Sequence, residues 1–421
     1  MIRMSRPQTL LTALLVPLTL GAFGPDVTMK ASDHKKLAKQ VAGWFEAKEK
    51  TKDIGKSFLA VSEAVDKLEK KMDGKSALAL IDDWREVLYL ARLGGLENDI
   101  KARKGKAAEL SVEMPNKSEL EFALSVPGSY NPKKGPYPLF VIVGEAGSTP
   151  LELLESEYTE ASLRDGALLL APKMPAEVAE WTVLESQGGG IATIMSLYGK
   201  SLGSLPIDMD RVYLVGHGAG AGAAAKVADL YPQLFAGLVV VDAKEPIIAT
   251  NFRNLPTLSV GSGAGSTGLS EAIGALGYDN NTAAEAFAAA ELWSWSEDKE
   301  RDAYPLQLTF SPGHPYTTSA HWISLQGVDI EAGPRVEARV DKDANAIIID
   351  AQKVTALEIS FNDALVDLDK PVDVVINGKS HPTSVSRNMR TMLELNYSGG
   401  DWGRIFTSRV PFDVPTGEGD E

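Results

Sequence analysis

The stretch that most constrains the fold is residues 212–232, which read VYLVGHGAGAGAAAKVADLYP. Four apolar residues run into Gly216, Gly218 and Gly220, and an Ala-rich stretch of helical composition follows. Glycine supports tight turns because it has no Cβ and tolerates positive φ. The pattern predicts a buried strand, a sharp turn and a helix, with a residue at the centre of the turn that has no side chain.

The segments on either side of this stretch repeat the same alternation. Continuous apolar runs of strand length alternate with helical patterns, as expected for a parallel sheet that is covered on both faces. The strand-like runs are YPLFVIVG, GALLLAPKM, RVYLVG, FAGLVVVDA and LPTLSVG, and the helical runs include GGGIATIMSLYGKSL and STGLSEAIGALG. We therefore expect an α/β domain with a mostly parallel sheet over residues 111–303.

The flanking regions have different periodicities. Residues 32–110 place apolar residues at three- and four-residue spacing, which predicts a small helical domain. Residues 304–415 contain several short strand-like runs, with Asn377-Gly378 as a hairpin turn, and predict a β-sandwich-like C-terminal domain. The acidic tail, 416–421, is expected to be disordered.

The first residues are typical of an export signal. Arg3 and Arg6 precede an apolar stretch over 9–24, which contains Pro17 and is short for a membrane span. We expect 1–24 to be a signal peptide and the mature chain to be periplasmic or extracellular. The alternative is an uncleaved N-terminal anchor.

Composition narrows the possible partners and cofactors. The net charge is −15 and no long Lys/Arg stripe occurs, which argues against nucleic acid as a partner. The chain has no cysteine, which excludes disulfides and thiolate metal sites. The glycine loop at 261–268 lacks the P-loop lysine, and DKDANA at 341–346 is better explained as a hairpin turn than as a calcium loop. We expect no cofactor, no metal, and no membrane span once the signal is removed.

Several segments, taken in order, resemble the α/β-hydrolase superfamily, and in particular exported bacterial esterases related to polyhydroxybutyrate depolymerases and prolyl-oligopeptidase-like proteins. VPGSYNPKKGPYPLFVIV is similar to the family's opening strands, and IDMDRVYLVGHGAG is similar to D-x-x-R-V-Y-x-x-G-x-S-x-G. LYPQLFAGLVVV resembles the segment after the nucleophile helix. The resemblance covers residues 120–304 and implies an α/β-hydrolase-like sheet.

The resemblance also implies where a catalytic site would lie, and the expected side chains are missing there. The nucleophile position is Gly218, which leaves a degenerate motif, GHGAG. In the oxyanion loop, the histidine and first glycine of H-G-x-G are replaced by Gly144 and Glu145, and Gly147 is kept. The neighbouring His217 is expected to be structural. The resemblance thus places a binding cleft around the turn, formed by Gly144, Glu145, Gly147, His217 and Ala219.

The acid and the base of the triad are missing from their expected places as well. No Asp or Glu lies between Glu245 and Glu271, so Asp242 is the fallback acid, with a capping role for the segment that follows as the alternative. The loop GYDNNTAAEA has no histidine, so His314 is the fallback base, although its strand resembles the start of the C-terminal domain.

These absences predict an inactive pseudo-hydrolase that acts by binding or as a scaffold. Loss of one triad member leaves only residual catalysis, and here several elements are degraded together. The alternative is an active exported serine esterase or peptidase with a relocated site that uses His314 and Asp242. The sequence leaves open whether the partner is a small molecule, a peptide, a glycan or another protein.

Overall fold

The helical segment comes first. A computed structural model of the chain describes residues 28–97, 99–114, 116–184 and 188–415. The predicted signal peptide and the acidic tail lie outside these ranges. Apolar residues at helical spacing build α1 (Ala31–Glu49), α2 (Ile54–Lys71) and α3 (Ile81–Leu93). Trp44 and Trp84 are fully buried between them, so the three helices share one apolar core.

The central domain follows as alternating strands and helices. Its elements are β1 (Ala107–Glu113), β2 (Glu119–Ser125), β3 (Tyr137–Val143), α4 (Pro150–Ser156), α5 (Ala161–Gly166), β4 (Leu168–Pro172), α6 (Gly190–Ser204), β5 (Ile207–His217), α7 (Ala219–Leu230), β6 (Gly237–Val241), β7 (Thr257–Val260), α8 (Ala264–Ala275), β8 (Asn281–Ala284) and α9 (Ala289–Ser296).

The strands form one eight-stranded sheet in the order β1-β2-β4-β3-β5-β6-β7-β8. β2 is antiparallel to both of its neighbours, and β4, β3, β5, β6, β7 and β8 are parallel. The expected α/β fold with a mostly parallel, α/β-hydrolase-like sheet is confirmed. The carboxyl ends of the six parallel strands meet at one edge, where open α/β sheets bind their ligands.

The C-terminal domain consists of two sheets and one helix. Its elements are β9 (Gln307–Phe310), β10 (Ser319–Ala320), β11 (Ile323–Gln326), β12 (Arg335–Asp341), β13 (Ala346–Gln352), β14 (Ala356–Phe361), β15 (Val372–Ile376), β16 (Lys379–Thr383), α10 (Met389–Gly399) and β17 (Ser408–Asp413). The sheets are β10-β11-β14-β17 and β16-β15-β13-β12-β9, and their apolar side chains form one core.

Two predicted turns are present in this domain. Asn377 and Gly378 both have positive φ and join β15 to β16 as a hairpin. The DKDANA segment joins β12 to β13 as a hairpin, with Asp341 paired to Ala346 at the strand ends and Asp343 in the turn. The β-sandwich-like character of this region is confirmed, with α10 as an addition.

A buried ion cluster connects the three regions. Arg301 follows α9 and is 1% exposed, and its guanidinium donates to both carboxylate oxygens of Asp401 at 2.7 and 3.0 Å. Arg301 also contacts Asp210 on β5 at 3.2 Å, and Asp210 in turn pairs with Arg85 on α3. Burial alone would raise the pKa of Asp401, but the charges of Arg301 and Arg404 hold it below its ordinary value.

We expect the substitution Asp401→Asn to destabilise the protein by about 3–5 kcal/mol, because it removes the closer and more buried of the two carboxylates that pair with the buried Arg301 guanidinium, and leaves only Asp210. Chemical denaturation at neutral pH measures this loss. The matched control is Glu337→Gln, which breaks the more exposed Arg335–Glu337 pair on β12 and should cost less than about 1 kcal/mol. Equal, small losses in both variants would contradict the structural role of the cluster.

Candidate functional site: the turn between β5 and α7

The turn at residues 216–220 brings α7 very close to the backbone of β3. A Cβ added to Gly220 would lie 2.3 Å from the carbonyl oxygen of Val143, and one added to Gly216 would lie 2.4 Å from Cα of Ala221. Both contacts are with backbone, which cannot move aside. Glycine is therefore required at these two positions by close approach, as the sequence pattern suggested.

Gly218, at the centre of the turn, is constrained by its backbone conformation. It has φ of 53° and ψ of −116°, and its amide donates to the carbonyl of Val241 at 2.9 Å. A residue with a side chain would be strained in this region, by about 1–3 kcal/mol. The chain thus keeps the sharp strand-to-helix turn that presents a nucleophile, and carries no nucleophile on it.

Glu145 lies directly over Gly218. A Cβ built on Gly218 would be 3.0 Å from both Cγ and Oε1 of Glu145. The loop that carries Glu145 is held by Ser148, whose amide and hydroxyl both donate to the Glu145 carbonyl, at 3.1 and 2.7 Å. Lys244 Nζ lies 3.9 Å from Glu145 Oε1. The structure therefore brings Gly144, Glu145, Gly218 and the start of α7 together, with a carboxylate where a nucleophile would project.

His217 is packed into the protein. Its Nε2 is 2.5 Å from the hydroxyl of Tyr158, and its ring meets Phe287 edge-on at a centroid distance of 5.0 Å. Burial lowers the pKa of His217 to about 4, against a smaller upward effect of Asp242. The imidazole is neutral at neutral pH and bonded to a fully buried tyrosine, which fits the structural role expected from the sequence.

Asp242 follows β6 and lies against the end of β7. Its backbone has φ of 48°, and a Cβ on Gly261 would be 2.0 Å from its Oδ1. The Asp242 carboxylate thus reaches the position, after β7, at which the family resemblance places the catalytic acid. Asp242 does not cap α8, because that helix begins after Gly263 without a side-chain cap.

His314 lies at the far end of α7. A Cβ on its neighbour Gly313 would be 3.0 Å from Asp229 Oδ2 and from Lys226 Nζ, in the last turns of that helix. Ten residues separate Ala219 from Asp229, which is about 15 Å along a helix axis. His314 Nδ1 accepts the Tyr316 amide at 3.2 Å. The structure does not bring His314 to the Gly218 turn or to Asp242.

The other histidines lie elsewhere. His34 is on α1 and pairs with Asp83 at 2.6 Å, and His381 is on β16. His321 is buried in the C-terminal domain, where burial and then the charges of Arg404 and Arg301 lower its pKa to about 3. His217 is thus the histidine next to the turn.

Two cavities lie away from the turn. One of about 500 Å³ lies between the β1–β2 hairpin and the start of α4, and is lined by residues that include Glu109, Glu121 and Lys173. The other, of about 230 Å³, lies between α3, the start of β5 and Trp402. Neither of these two includes Gly218, His217 or Asp242 in its lining.

Two further properties concern only the part of the chain that the structure describes. Over 28–97, 99–114, 116–184 and 188–415, no three His, Asp or Glu side chains are grouped so that they could hold a metal ion. In the same ranges, none of the helices combines the length and the apolar content needed to cross a bilayer.

The chain is similar in structure to several esterases. The sequence matches no protein-family model and no curated protein. A thermostable esterase is 17% identical with a TM-score of 0.38, over 47% of this chain and 64% of that one. An S-formylglutathione hydrolase from Agrobacterium tumefaciens is 16% identical with a TM-score of 0.36, over 48% and 96%. The serine hydrolase FphF from Staphylococcus aureus is 10% identical with a TM-score of 0.37, over 46% and 95%.

These similarities concern the fold only. TM-scores below 0.5 and identities below 20% carry no conclusion about reaction or substrate, and this chain spans only 64% of the length of the thermostable esterase. The fold class rests on the strand order and on the helices described above. The chemistry rests on the residues of the turn.

Sequence reasoning missed the contacts that surround the turn. Tyr158 is 59 residues from His217, and no motif links the two. The position of Glu145 over Gly218 and that of Asp242 against Gly261 depend on side-chain directions at the ends of neighbouring strands. Their location after parallel strands was the signal available, because such residues meet at one edge of the sheet.

Proposed function

We propose that this chain is a non-catalytic protein of the α/β-hydrolase fold, a pseudo-hydrolase that acts by binding or as a scaffold. The observation that carries the proposal is Gly218. Acyl transfer through a covalent intermediate needs an oxygen or sulfur at the centre of the turn and a base that takes its proton. The turn has the backbone for this role and no atom to perform it.

The surroundings of Gly218 support the same conclusion. An acyl-transfer site stabilises its developing oxyanion with hydrogen-bond donors. The side chain of Glu145 instead presents a carboxylate over the turn, and negative charge there opposes an oxyanion. His217 is neutral and buried, its Nε2 is bonded to Tyr158, and its Nδ1 lies 3.7 Å from Glu157 Oε2, so both ring nitrogens face groups of the protein.

One observation favours the alternative, an active esterase or peptidase with a relocated site. The Asp242 carboxylate lies against Gly261, where a catalytic acid is expected. A relocated site would still need a base near this acid, and His314 lies by the opposite end of α7. Three serines near this edge bond to the protein itself: Ser148 to a backbone carbonyl, Ser259 to Asn281 and Ser266 to a backbone amide.

We expect the purified protein to hydrolyse short and medium p-nitrophenyl esters no faster than buffer, because no nucleophile stands at the turn. The measurement is the release of p-nitrophenolate against ester concentration for the wild type and for His314→Ala and Asp242→Asn. The rate of p-nitrophenolate release should rise with ester concentration at the same background slope for all three proteins. Saturable turnover that either substitution abolishes would establish the alternative.

A retained binding site is tested with ligands. Anything that binds only the folded state raises the melting temperature by mass action. The classes to compare are small esters, peptides and glycans at matched concentration, together with candidate protein partners. A shift that is specific to one class would identify the ligand chemistry, and no shift across all classes would leave a scaffold role.

We also propose that the protein is exported, on the strength of Arg3, Arg6 and the apolar stretch over 9–24. The bacterial host should deliver a mature chain that lacks about the first 24 residues to the periplasm or medium. Intact-mass measurement of each cell fraction checks this. A full-length chain confined to the membrane fraction would support the uncleaved anchor instead.

A further inference from the structure

The side chain of Glu145 occupies the space above Gly218. Its Cγ, Cδ and Oε1 lie 3.0–3.1 Å from the point where a Cβ at residue 218 would stand. This is the volume that a nucleophile and the acyl group attached to it would fill. The Glu145 side chain fills this space, and its loop precedes the turn by some 70 residues in the sequence.

Three features hold Glu145 in this place. Ser148 fixes the Glu145 backbone through two hydrogen bonds to its carbonyl. Lys244, at the end of β6, offers a positive charge 3.9 Å from Oε1. The N-terminus of α7, behind Gly218, has no side-chain cap, and a carboxylate near the start of a helix is favoured by its exposed amides and dipole.

We infer that Glu145 is a built-in cover of the turn, a side chain that excludes acyl and carboxylate groups from residue 218 and the start of α7. The inference rests on the proposed function, since it describes how the inert turn is closed. The Glu145 side chain is 62% exposed, so it lies over the turn from the solvent side. Its displacement, and not a change in the sheet, would open the site.

The test uses the absence of cysteine from the chain, because Gly218→Cys then introduces the only thiol. A thiol at the start of a helix ionises easily, whereas a neighbouring carboxylate raises the thiol pKa and a covering side chain blocks reagents. The rate of alkylation by iodoacetamide is measured against pH for Gly218→Cys alone, with Glu145→Gln and with Glu145→Ala. Glutamine keeps the bulk of the cover and removes its charge, and alanine removes both.

We expect Gly218→Cys with Glu145 intact to react slowly and with a raised thiol pKa. Glu145→Gln should lower the thiol pKa, and Glu145→Ala should also raise the limiting rate at high pH. Loss of both the charge and the bulk of the side chain, in Glu145→Ala, should speed alkylation about tenfold at neutral pH. The matched control is Gly222→Cys on α7, where a Cβ meets no atom within 4 Å and Glu145→Ala should change nothing.

Equal rates and equal thiol pKa values with and without Glu145 would overturn the cover. A wild type that hydrolyses esters, combined with slow alkylation that Glu145→Ala relieves, would contradict the proposed function and leave the cover standing. A wild type that hydrolyses no ester, combined with fast alkylation of Gly218→Cys, would support the proposed function and overturn the cover.

A second measurement needs no substitution at Gly218, whose backbone strains any side chain. In ¹⁵N-labelled protein, the amide signals of Gly218 and Ala219 should shift as the Glu145 carboxylate is protonated. Other ionisable side chains lie nearby, among them Glu157, Asp242 and His217, so only the part of the shift that disappears in Glu145→Gln counts. If no part of the shift depends on Glu145, the inference is overturned, whether or not the cysteine variant folds.

Discussion

The close contact between α7 and the backbone of β3 and β5 is the constraint on which the sheet edge depends. Gly216 and Gly220 lie where any Cβ would meet backbone atoms at 2.3–2.4 Å, so α7 can pack here only with glycine at both positions. This contact forces the chain to turn sharply between β5 and α7. The turn places residue 218 at the carboxyl edge, beside the loops that follow β3, β6 and β7.

The packing requirement and the chemical requirement of such a turn are separable. An enzyme needs a side chain at the central position and accepts a strained backbone there, at a cost of about 1–3 kcal/mol. Gly218 adopts φ of 53° without a Cβ to strain. Gly218 therefore forms the sharp turn without a side chain at its centre and without the strain that a side chain would bring. Stability and activity often trade against each other at functional sites in this way.

The edge of the sheet also holds several charged residues whose positions are set by contacts within the protein. Glu145 lies over Gly218, with Lys244 nearby. Burial and then the charge of Glu145 raise the pKa of Glu157. Asp242 fills the space in front of Gly261. Each of these carboxylates lies against groups of the protein itself, and Glu157 Oε2 is 3.7 Å from Nδ1 of the buried His217.

Much of the fold could be predicted because it follows from local patterns. Buried runs such as β5 and β6, and the hairpin at Asn377-Gly378, carry their signals within a few residues. β8 was missed, since Asn-Thr-Ala-Ala has neither β-branched nor aromatic enrichment, and its strand is defined by pairing with β7. α10 was missed as well.

The site was less predictable than the fold. A sharp turn with a glycine at its centre could be recognised from GHGAG, because the glycine spacing between a buried strand and a helix is a local signal. The contacts of Glu145 with Gly218, of His217 with Tyr158 and of Arg301 with Asp401 join segments 59 to 100 residues apart or lie between separate loops. No periodicity encodes such pairs, because they depend on how neighbouring strand ends and domains come together.

The most direct test of the central claim is labelling of the purified protein with a fluorophosphonate probe, followed by peptide mapping. Such probes react with serines that a neighbouring base activates. The account predicts that the folded protein gives no labelled peptide above the level of a heat-denatured control. A labelled serine in the folded protein alone would contradict the account, and the mapped peptide would identify the nucleophile of an active hydrolase.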